Sequence, residues 1–494
     1  MRRVVLAALA VRVCLALVIG VLGILGILGP EGAQADEPSL PPGLAPASPH
    51  EPALPSGLAP VPDAPKEPGP LLELHPDALP SQPLSRPRPA WRQNLPFTLR
   101  GFMEIAQGVR TQPDAHEKSQ SLGETRLHID MQRRTAWATF SLVTDFVADW
   151  VDTERTIDLE TGQGWLDLRE ANAELSPLSF LDVKIGRQIL TWGTGDLVFI
   201  NDLFPKNQNA FLSGREESYL KAPSDALKVS LFSGWGTLDI VYTPAFDADR
   251  FIDGRRISYW NPLLRRRAGR DAILRAERSN TWFRDSEWAV RLSRRLAAYE
   301  LALYGYYGFW KSPGGFDQHG QVTFPRLAAY GASLRGPVGR GIANGEIGYY
   351  DSLADRSGFD PLVRNSEFRL LAGYEQEVGT DFTAGIQYVL EHMLQHSRFR
   401  RSHPDPHRAA DEARHFLTLR LTKLLLQQNL VVSVFGYYSP SDQDAYLRPW
   451  VQYKFTDVWT GTFGANVFVG RDAHTFFGQL EKNTNVYVRL RYSF

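Results

Sequence analysis

The residues that could do chemistry in this chain are basic side chains that recur at every second position of short segments. Near the C-terminus, Arg489 and Arg491 alternate with Val488, Leu490 and Tyr492. A period of two is that of a β-strand, whose successive side chains point to opposite faces. On the inner face of a closed sheet, such bases would concentrate anions. The predicted inward-facing bases are Arg126, Lys184, Arg187, Arg291, Arg369, Arg420, Arg448, Lys454, Arg489 and Arg491.

Acidic residues at inward positions are fewer in this assignment, which therefore predicts a moderate preference for anions. They are Asp130, Asp182, Glu367 and Glu375. Two alternatives remain open at this point. The bases could form ion pairs that close the interior, or they could lie near a rim and meet the phosphates of lipopolysaccharide.

The sequence offers little support for catalysis or for a cofactor. The nearest match to the serine-hydrolase motif G-x-S-x-G is Gly331-Ala332-Ser333-Leu334-Arg335, which lacks the last glycine. The only cysteine is Cys14, and it lies in a segment that we expect to be removed. We therefore predict no enzyme activity, no haem attachment and no other cofactor.

Five histidines fall close together and raise the question of a metal site. They are His392, His396, His403, His407 and His415. Imidazoles four residues apart on a helix can share a metal ion, but the arginines at positions 398, 400 and 401 would repel a cation. A solvated loop without metal is the default expectation, with a metal site as the alternative.

The first 35 residues have the composition of a secretory signal peptide. Arg2 and Arg3 precede a long apolar stretch, and Ala33-Gln34-Ala35 supplies a small-x-small cleavage site. The alternative is an uncleaved membrane anchor, although Arg12 interrupts the apolar stretch.

Residues 36–95 form a second region, rich in proline. Of the 33 prolines in the chain, 17 fall between Pro38 and Pro89. Such a composition cannot build a core and favours extended or disordered chain. We predict a periplasmic linker, either a plain spacer or a segment that docks to a periplasmic partner.

From residue 96 to residue 494, alternating segments predict an all-β domain of about eighteen strands, with sixteen as the alternative. Short and long connections alternate between the segments, as in a transmembrane antiparallel β-barrel with tight turns at one rim and longer loops at the other. The predicted strand starts are 97, 121, 135, 164, 179, 225, 237, 285, 297, 321, 341, 366, 380, 413, 428, 445, 458 and 484. Predicted interfacial aromatics are Trp91, Trp288, Trp450, Trp459, Tyr492 and Phe494.

One stretch, from Leu168 to Asn207, resembles a known family. It contains Arg169-Glu170, Gly186-Arg187-Gln188, Trp192-Gly193 and Asn201-Asp202 followed by Pro205. This order is similar to the strand-strand-loop core of large bacterial outer-membrane porins of the alginate-export type. The resemblance implies an eighteen-stranded barrel with inward-folded loops and a charged lumen, and it does not extend to the alginate substrate. A final Phe494 on an alternating strand resembles the signal that barrel-assembly machinery recognises.

The loop that follows Gln188 contains apolar residues that a solvated loop would not need, among them Leu197, Phe199 and Ile200. We predict that it folds into the barrel and narrows it, with packing against neighbouring external loops as the alternative. Its predicted constriction residues are Trp192, Asp196, Asn201, Asp202 and Pro205. A bulge at Gly186 is expected to keep Arg187 away from lipid.

The next long loop, between Ala245 and Phe283, is strongly basic, and folded inward it would act as an anion funnel. Folded outward, it would bind lipid phosphates, and the sequence does not decide between these positions. The arginines from this loop to the next strand are Arg250, Arg255, Arg256, Arg265, Arg266, Arg267, Arg270, Arg275, Arg278 and Arg284, against Asp247, Asp249, Asp253, Asp271 and Glu277.

Taken together, these features favour an outer-membrane porin of a Gram-negative bacterium. It would pass anionic or polar solutes, anionic saccharides among them, through a basic lumen. The alternative is a structural barrel without a free pore, serving polysaccharide attachment, adhesion or the sheathing of cytochromes. Expected partners are outer-membrane lipids and lipopolysaccharide, the barrel-assembly machinery, small solutes and a periplasmic protein that binds the linker. Nucleic acid is not expected.

Overall fold

The computed structural model describes residues 95–276, 281–317, 319–403 and 409–494. The predicted signal peptide, all but the last residue of the predicted linker, and residues such as Trp91 and His407 lie outside these ranges. None of the described helices is both long and apolar enough to cross a membrane.

Eighteen antiparallel strands form a closed barrel. Each strand pairs with the next barrel strand in the sequence, and the first pairs with the last, so no sheet edge is left open. The barrel strands are β1 (Thr98–Arg110), β2 (Gln120–Arg134), β3 (Ala138–Asp149), β4 (Leu166–Leu178), β5 (Leu181–Ile189), β6 (Pro223–Phe232), β7 (Thr237–Thr243), β10 (Glu287–Leu296), β11 (Tyr299–Phe309), β14 (Arg326–Val338), β15 (Gly341–Ser352), β16 (Glu367–Gly379), β17 (Phe382–Met393), β18 (Ala413–Leu425), β19 (Leu430–Ser439), β20 (Asp444–Lys454), β21 (Trp459–Gly470) and β22 (Asn485–Ser493).

The remaining elements are short and lie in the connections. Two hairpins pair β8 (Tyr259–Asn261) with β9 (Arg266–Ala268), and β12 (Gly315–Phe316) with β13 (Val322–Thr323). The helices are α1 (Gln208–Ser213) and α2 (His396–Ser402), and two 3₁₀ turns cover Glu217–Leu220 and Gly478–Asn483.

The connections differ in length between the two rims, as predicted. One rim carries turns of two to four residues, for example between β4 and β5. The other carries nine loops, and one of them, L8, is short. They are L1 (111–119), L2 (150–165), L3 (190–222), L4 (244–286), L5 (310–325), L6 (353–366), L7 (394–412), L8 (440–443) and L9 (471–484). The predicted eighteen strands are confirmed, and each predicted start lies within five residues of the observed one.

The two faces of the barrel wall differ in polarity. Outward side chains are apolar and exposed, such as Ile105, Leu303 and Val488, each about half exposed. Inward side chains at alternate positions are polar and buried, such as Glu104 and Arg126. The period of two in the strands produces this separation directly.

Large aromatic side chains are exposed near both rims. Trp288 lies at the start of β10, next to a long loop, whereas Trp459 and Tyr492 lie beside the turns. The predicted position of Trp450 is wrong. This residue lies directly across from the buried, inward-facing Ser433 and on the same face of β20 as Arg448, so alternation turns it toward the interior.

Candidate functional site

Loop L3 leaves the end of β5, and its residues bind buried side chains near the middle of the barrel strands. Its first half, residues 190–205, contacts the wall from β11 to β19, and its second half, residues 207–222, contacts the wall from β18 round to β4. The wall residues that it meets, such as Glu346, Arg420 and Arg126, lie near the middle of their strands. The candidate site is therefore this loop together with the inner wall around it.

A single carboxylate on β15 binds the first half of L3. Glu346 is 2% exposed. It accepts hydrogen bonds from the backbone N–H groups of Thr194, Gly195 (2.9 Å) and Asn201 (3.1 Å). It also accepts from the Thr194 hydroxyl at 3.0 Å and the Asn201 amide at 2.8 Å. Five donors from one loop thus converge on one buried group, which satisfies backbone groups that no secondary structure pairs.

Glycines in the wall make room for the same part of L3. A Cβ atom on Gly331 would lie 1.8 Å from the Asn201 amide oxygen, and one on Gly348 would lie 2.8 Å from Ile200. The Tyr350 hydroxyl donates to the carbonyl of Ile200. The loop therefore sits in a recess that side chains at these two positions would fill.

Aromatic packing and internal bonds shape the base of the loop. Trp192 packs against Phe204, with ring centroids 4.9 Å apart. Asp202 accepts hydrogen bonds from the Thr191 hydroxyl at 2.8 Å and from the Lys206 ammonium at 2.9 Å. The Pro205 carbonyl accepts from the N–H of Ala222 at 3.1 Å. Among the five predicted constriction residues, Asp196 and Asn201 bind polar side chains of the wall. Asp202 and Pro205 form hydrogen bonds with other residues of L3.

The tip of the first half binds β17, β18 and β19. The backbone of Asp196 exchanges two 2.8 Å hydrogen bonds with the Gln387 side chain. Its carboxylate binds the Arg420 guanidinium at 2.5 and 2.9 Å. Burial raises the pKa of Asp196, and Arg420 opposes that shift. The Tyr437 hydroxyl donates to the carbonyl of Leu197.

The second half of L3 carries two consecutive carboxylates that bind wall arginines. Glu217 lies 3.0 Å from Arg420 and 3.2 Å from Arg448, and Glu216 pairs with Arg491. Burial opposes ionisation of Glu216, but Arg491 and Arg489 outweigh it and hold the pKa of Glu216 below its usual value.

Two further contacts fix the end of the loop. Arg215 binds the Glu124 carboxylate on β2 at 2.6 and 3.0 Å. The buried Tyr219 ring lies between Arg126 and Arg169, each guanidinium 4.4 Å from the ring centroid. Such cation–π contacts are strongest where water is excluded. L3 thus contacts the wall from β11 round to β4.

Carboxylates lie beside nearly all of the predicted inward bases. Within the described part of the chain, every predicted inward base except Lys454 lies within 4 Å of a carboxylate. The pairs are Arg126 with Glu124 and Asp145, Lys184 with Glu170, Arg187 with Asp225 and Glu160, Arg291 with Glu300 and Asp239, Arg369 with Glu367 and Glu391, Arg420 with Asp196 and Glu217, Arg448 with Glu217, Arg489 with Glu104, and Arg491 with Glu104 and Glu216.

Some of these carboxylates could have been found from the sequence. Glu104 occupies an inward position of its strand, where the period of two predicts it, and so does Glu346, which binds L3 rather than a base. Glu216 and Glu217 lie in a loop, and no sequence pattern indicated that they would reach the wall.

Arg187 lies at the rim that carries the loops rather than at mid-height. It binds the Asp225 carboxylate at 2.8 Å and donates to the carbonyls of Leu168, at 2.7 Å, and Leu159, at 2.5 Å. The predicted bulge at Gly186 is wrong, because pairing with β4 and β6 continues through this residue. The register shifts of β4 lie elsewhere, one against β3 at Val143 and one against β5 next to the turn, and Gly186 has a left-handed φ of 113°.

Loop L4 lies against L3 and also reaches the wall. The Lys206 N–H donates to the Asp249 carboxylate at 2.7 Å. Arg250 binds Asp167 on β4 at 2.8 and 2.9 Å, and Arg256 pairs with Asp149 on β3. Arg265, at the tip of the β8–β9 hairpin, is exposed. The arginines of L4 are therefore divided between the interior and the surface.

No protein-family model matches the sequence, and neither does any curated protein. Among solved structures, OccAB3 of Acinetobacter baumannii is 9% identical, with 81% of this chain and 99% of that chain covered and a TM-score of 0.49. OccK11 (OpdR) of Pseudomonas aeruginosa is 10% identical, with 80% and 95% covered and a TM-score of 0.47. A loop deletion mutant of OmpT, an outer membrane protein of Vibrio cholerae, is 11% identical, with 81% and 100% covered and a TM-score of 0.39.

Proposed function

We propose that this chain is an outer-membrane channel of a Gram-negative bacterium through which small polar solutes pass without a covalent step. A closed barrel pairs every strand, as a sheet in lipid requires. Its outward apolar residues match a hydrocarbon environment, and exposed aromatics near both rims, such as Trp288 and Trp459, match the two interfaces. These features support a membrane-spanning position.

The observation that carries the proposal is the position of L3. Because L3 is bound to Glu346, Arg420 and Arg491 at half height of the wall, it would narrow the interior at that height. Solutes would pass between this loop and the polar part of the wall that it leaves uncovered, where Lys228 and Arg291 are partly exposed. Selection would then depend on size and hydrogen bonding.

Selectivity for anions is expected to be weak. The inward bases would attract anions strongly if they were alone, but nearby carboxylates cancel most of their field at a distance. A moderate preference for anions would need bases without such partners, and Lys454 near the turns is the one candidate among the ten. Anionic saccharides remain possible solutes under this proposal, without being favoured over neutral ones.

The test is a planar-bilayer recording of the mature chain, with the reversal potential measured under a salt gradient. Steady single-channel conductance with a small reversal potential is the expected result. A barrel that inserts and does not conduct would contradict the channel.

The second candidate is a structural barrel without a free pore. The stacking of L4 on L3, through Lys206, Asp249 and Arg250, favours it, since two layers of loop would then fill the interior. Outer-membrane lipids and lipopolysaccharide would surround the barrel whether or not it has a free pore. The barrel-assembly machinery would recognise β22 in both cases. A partner bound to the linker would be expected to copurify with a closed barrel.

A further inference from the structure

A polar cleft lies between L2, L3 and L4 on the side of the barrel that carries the loops. It encloses about 650 Å³, part of which is open to solvent. Arg126 and Asp167 on the barrel wall also line it, so the cleft leads from the surface toward L3.

The lining of the cleft is almost entirely polar. Four arginines and four aspartates line it, and Val147 is the one residue with an apolar side chain larger than glycine. An apolar ligand would displace water from the partly exposed Arg255 and Asp253 side chains and would offer them no hydrogen bond in return. The lining therefore excludes apolar molecules.

Three of the four arginines are already engaged by the protein. Arg126 and Arg215 share the Glu124 carboxylate, and Arg256 pairs with Asp149 and donates to the Ser121 carbonyl at 3.2 Å. These residues hold the cleft in shape. They are not available to bind a free anion.

The remaining polar groups have capacity left for a ligand. The Asn209 Oδ1 is a buried acceptor without a hydrogen-bond partner among the described residues, and the Arg255 side chain is 32% exposed, more than those of the other three arginines. Arg255 also donates to Gln163 at 2.9 Å and lies 3.2 Å from the Asp253 carboxylate. Burial raises the pKa of Asp253, and the charge of Asp152 adds to that effect. Donors and acceptors are thus present side by side.

This mixture selects for one class of ligand. An anion drawn to Arg255 would meet Asp152 and Asp253, and a cation drawn to those aspartates would meet Arg255. A hydroxyl group both donates and accepts, so a molecule with several hydroxyls can satisfy all of these groups without bringing a charge into the cleft. We propose that the cleft binds a small neutral polyhydroxylated solute, a polyol or monosaccharide. This inference rests on the proposed channel, for which the cleft would be the entry site.

The test is calorimetric titration of the purified full-length chain in detergent micelles with D-mannitol and D-glucose. D-gluconate and glycine serve as the anionic and zwitterionic comparisons. We expect the neutral compounds to bind and Arg255→Gln and Asp253→Asn each to weaken them by about tenfold, the loss of one good hydrogen-bonded contact. The matched control is Arg265→Gln, on the exposed tip of the same loop. Circular dichroism checks that each variant retains its strand content.

Other outcomes would overturn the inference. These are no binding of the neutral compounds, tighter binding of gluconate or glycine, or equal binding by the control and the two cleft variants. Conductance of the same preparation separates the two proposals. Binding without conductance would contradict the proposed channel and support the proposed ligand site in the cleft. Conductance without binding would support the channel and contradict the ligand site.

Discussion

At the scale of single residues, the position of L3 depends on a few groups that face the interior. Glu346 binds five donors of the loop, and Gly331 leaves the space that Asn201 occupies. Neither residue would attract attention by type, since one is a common acid and the other a strand glycine. Their importance follows from what lies opposite them.

We expect Glu346→Ala to release the first half of L3. Hydrogen bonds to a charged acceptor contribute about 1.5–3 kcal/mol each, and the N–H groups of Gly195 and Asn201 would lose theirs. Single-channel recordings should show a larger and noisier current. Asp351→Ala is the matched control, because it breaks a pair with the exposed Arg356 at the loop end of the same strand. Equal currents in both variants would contradict this role of Glu346.

We expect Gly331→Ala to displace L3, since the added Cβ would lie 1.8 Å from the Asn201 oxygen. Overpacking of this kind typically costs about 1–3 kcal/mol. The thermal midpoint should fall and the conductance should rise. Gly305→Ala, on the neighbouring strand β11, has no atom within 4 Å of its Cβ and serves as the control. A wild-type midpoint in Gly331→Ala would rule out the close fit.

At the scale of elements, the long loops are held by buried polar contacts rather than by secondary structure of their own. L1 and L4 provide an example away from the lumen. Glu117 of L1 has a fully buried side chain that pairs with Arg270 of L4 at 3.2 Å. Burial raises the pKa of Glu117 to about 7, against the opposing charges of Arg110 and Arg270.

The contact between L1 and L4 should therefore weaken as the pH rises. Between about pH 4.5 and 7 the folded state holds a proton on Glu117 that the unfolded chain has lost, so the stability of this contact falls across that window. Hydrogen exchange of residues 111–119, corrected for the intrinsic pH dependence, should be faster at pH 8 than at pH 5. Glu117→Gln should remove the difference, and a persistent difference would assign it to another group.

At the scale of the whole molecule, the charge of the interior is set by pairing between L3 and the wall. Glu216 and Glu217 of the loop neutralise Arg420, Arg448 and Arg491, which come from three different strands. The basic lumen expected from the strands alone is therefore largely balanced once the loop is in place.

Replacing both loop acids should uncover the basic lumen. In Glu216→Gln/Glu217→Gln, three arginines lose carboxylate partners, so the reversal potential under a salt gradient should move toward anion selectivity. Glu481→Gln, which breaks a pair with Arg267 on the loop side, is the control and should leave the reversal potential unchanged. An unchanged potential in the double variant would place the conducting path away from L3.

The sequence by itself determined the eighteen strands, the alternation of short turns and long loops, and the side of the wall on which most charged residues lie. These properties are local, because a period of two assigns each side chain to a face without reference to its partners. Arg126, Arg420 and Arg491 were assigned to the interior on this basis.

Only the tertiary structure decided what those residues bind. Glu216, Glu217 and Asp196 of L3 bind arginines of the wall, and these contacts join residues more than two hundred positions apart. No spacing of residues in the sequence predicts contacts over such separations. The charge of the interior, the recess at Gly331 and the cleft around Arg255 all depend on loop packing, which only closure of the barrel makes possible.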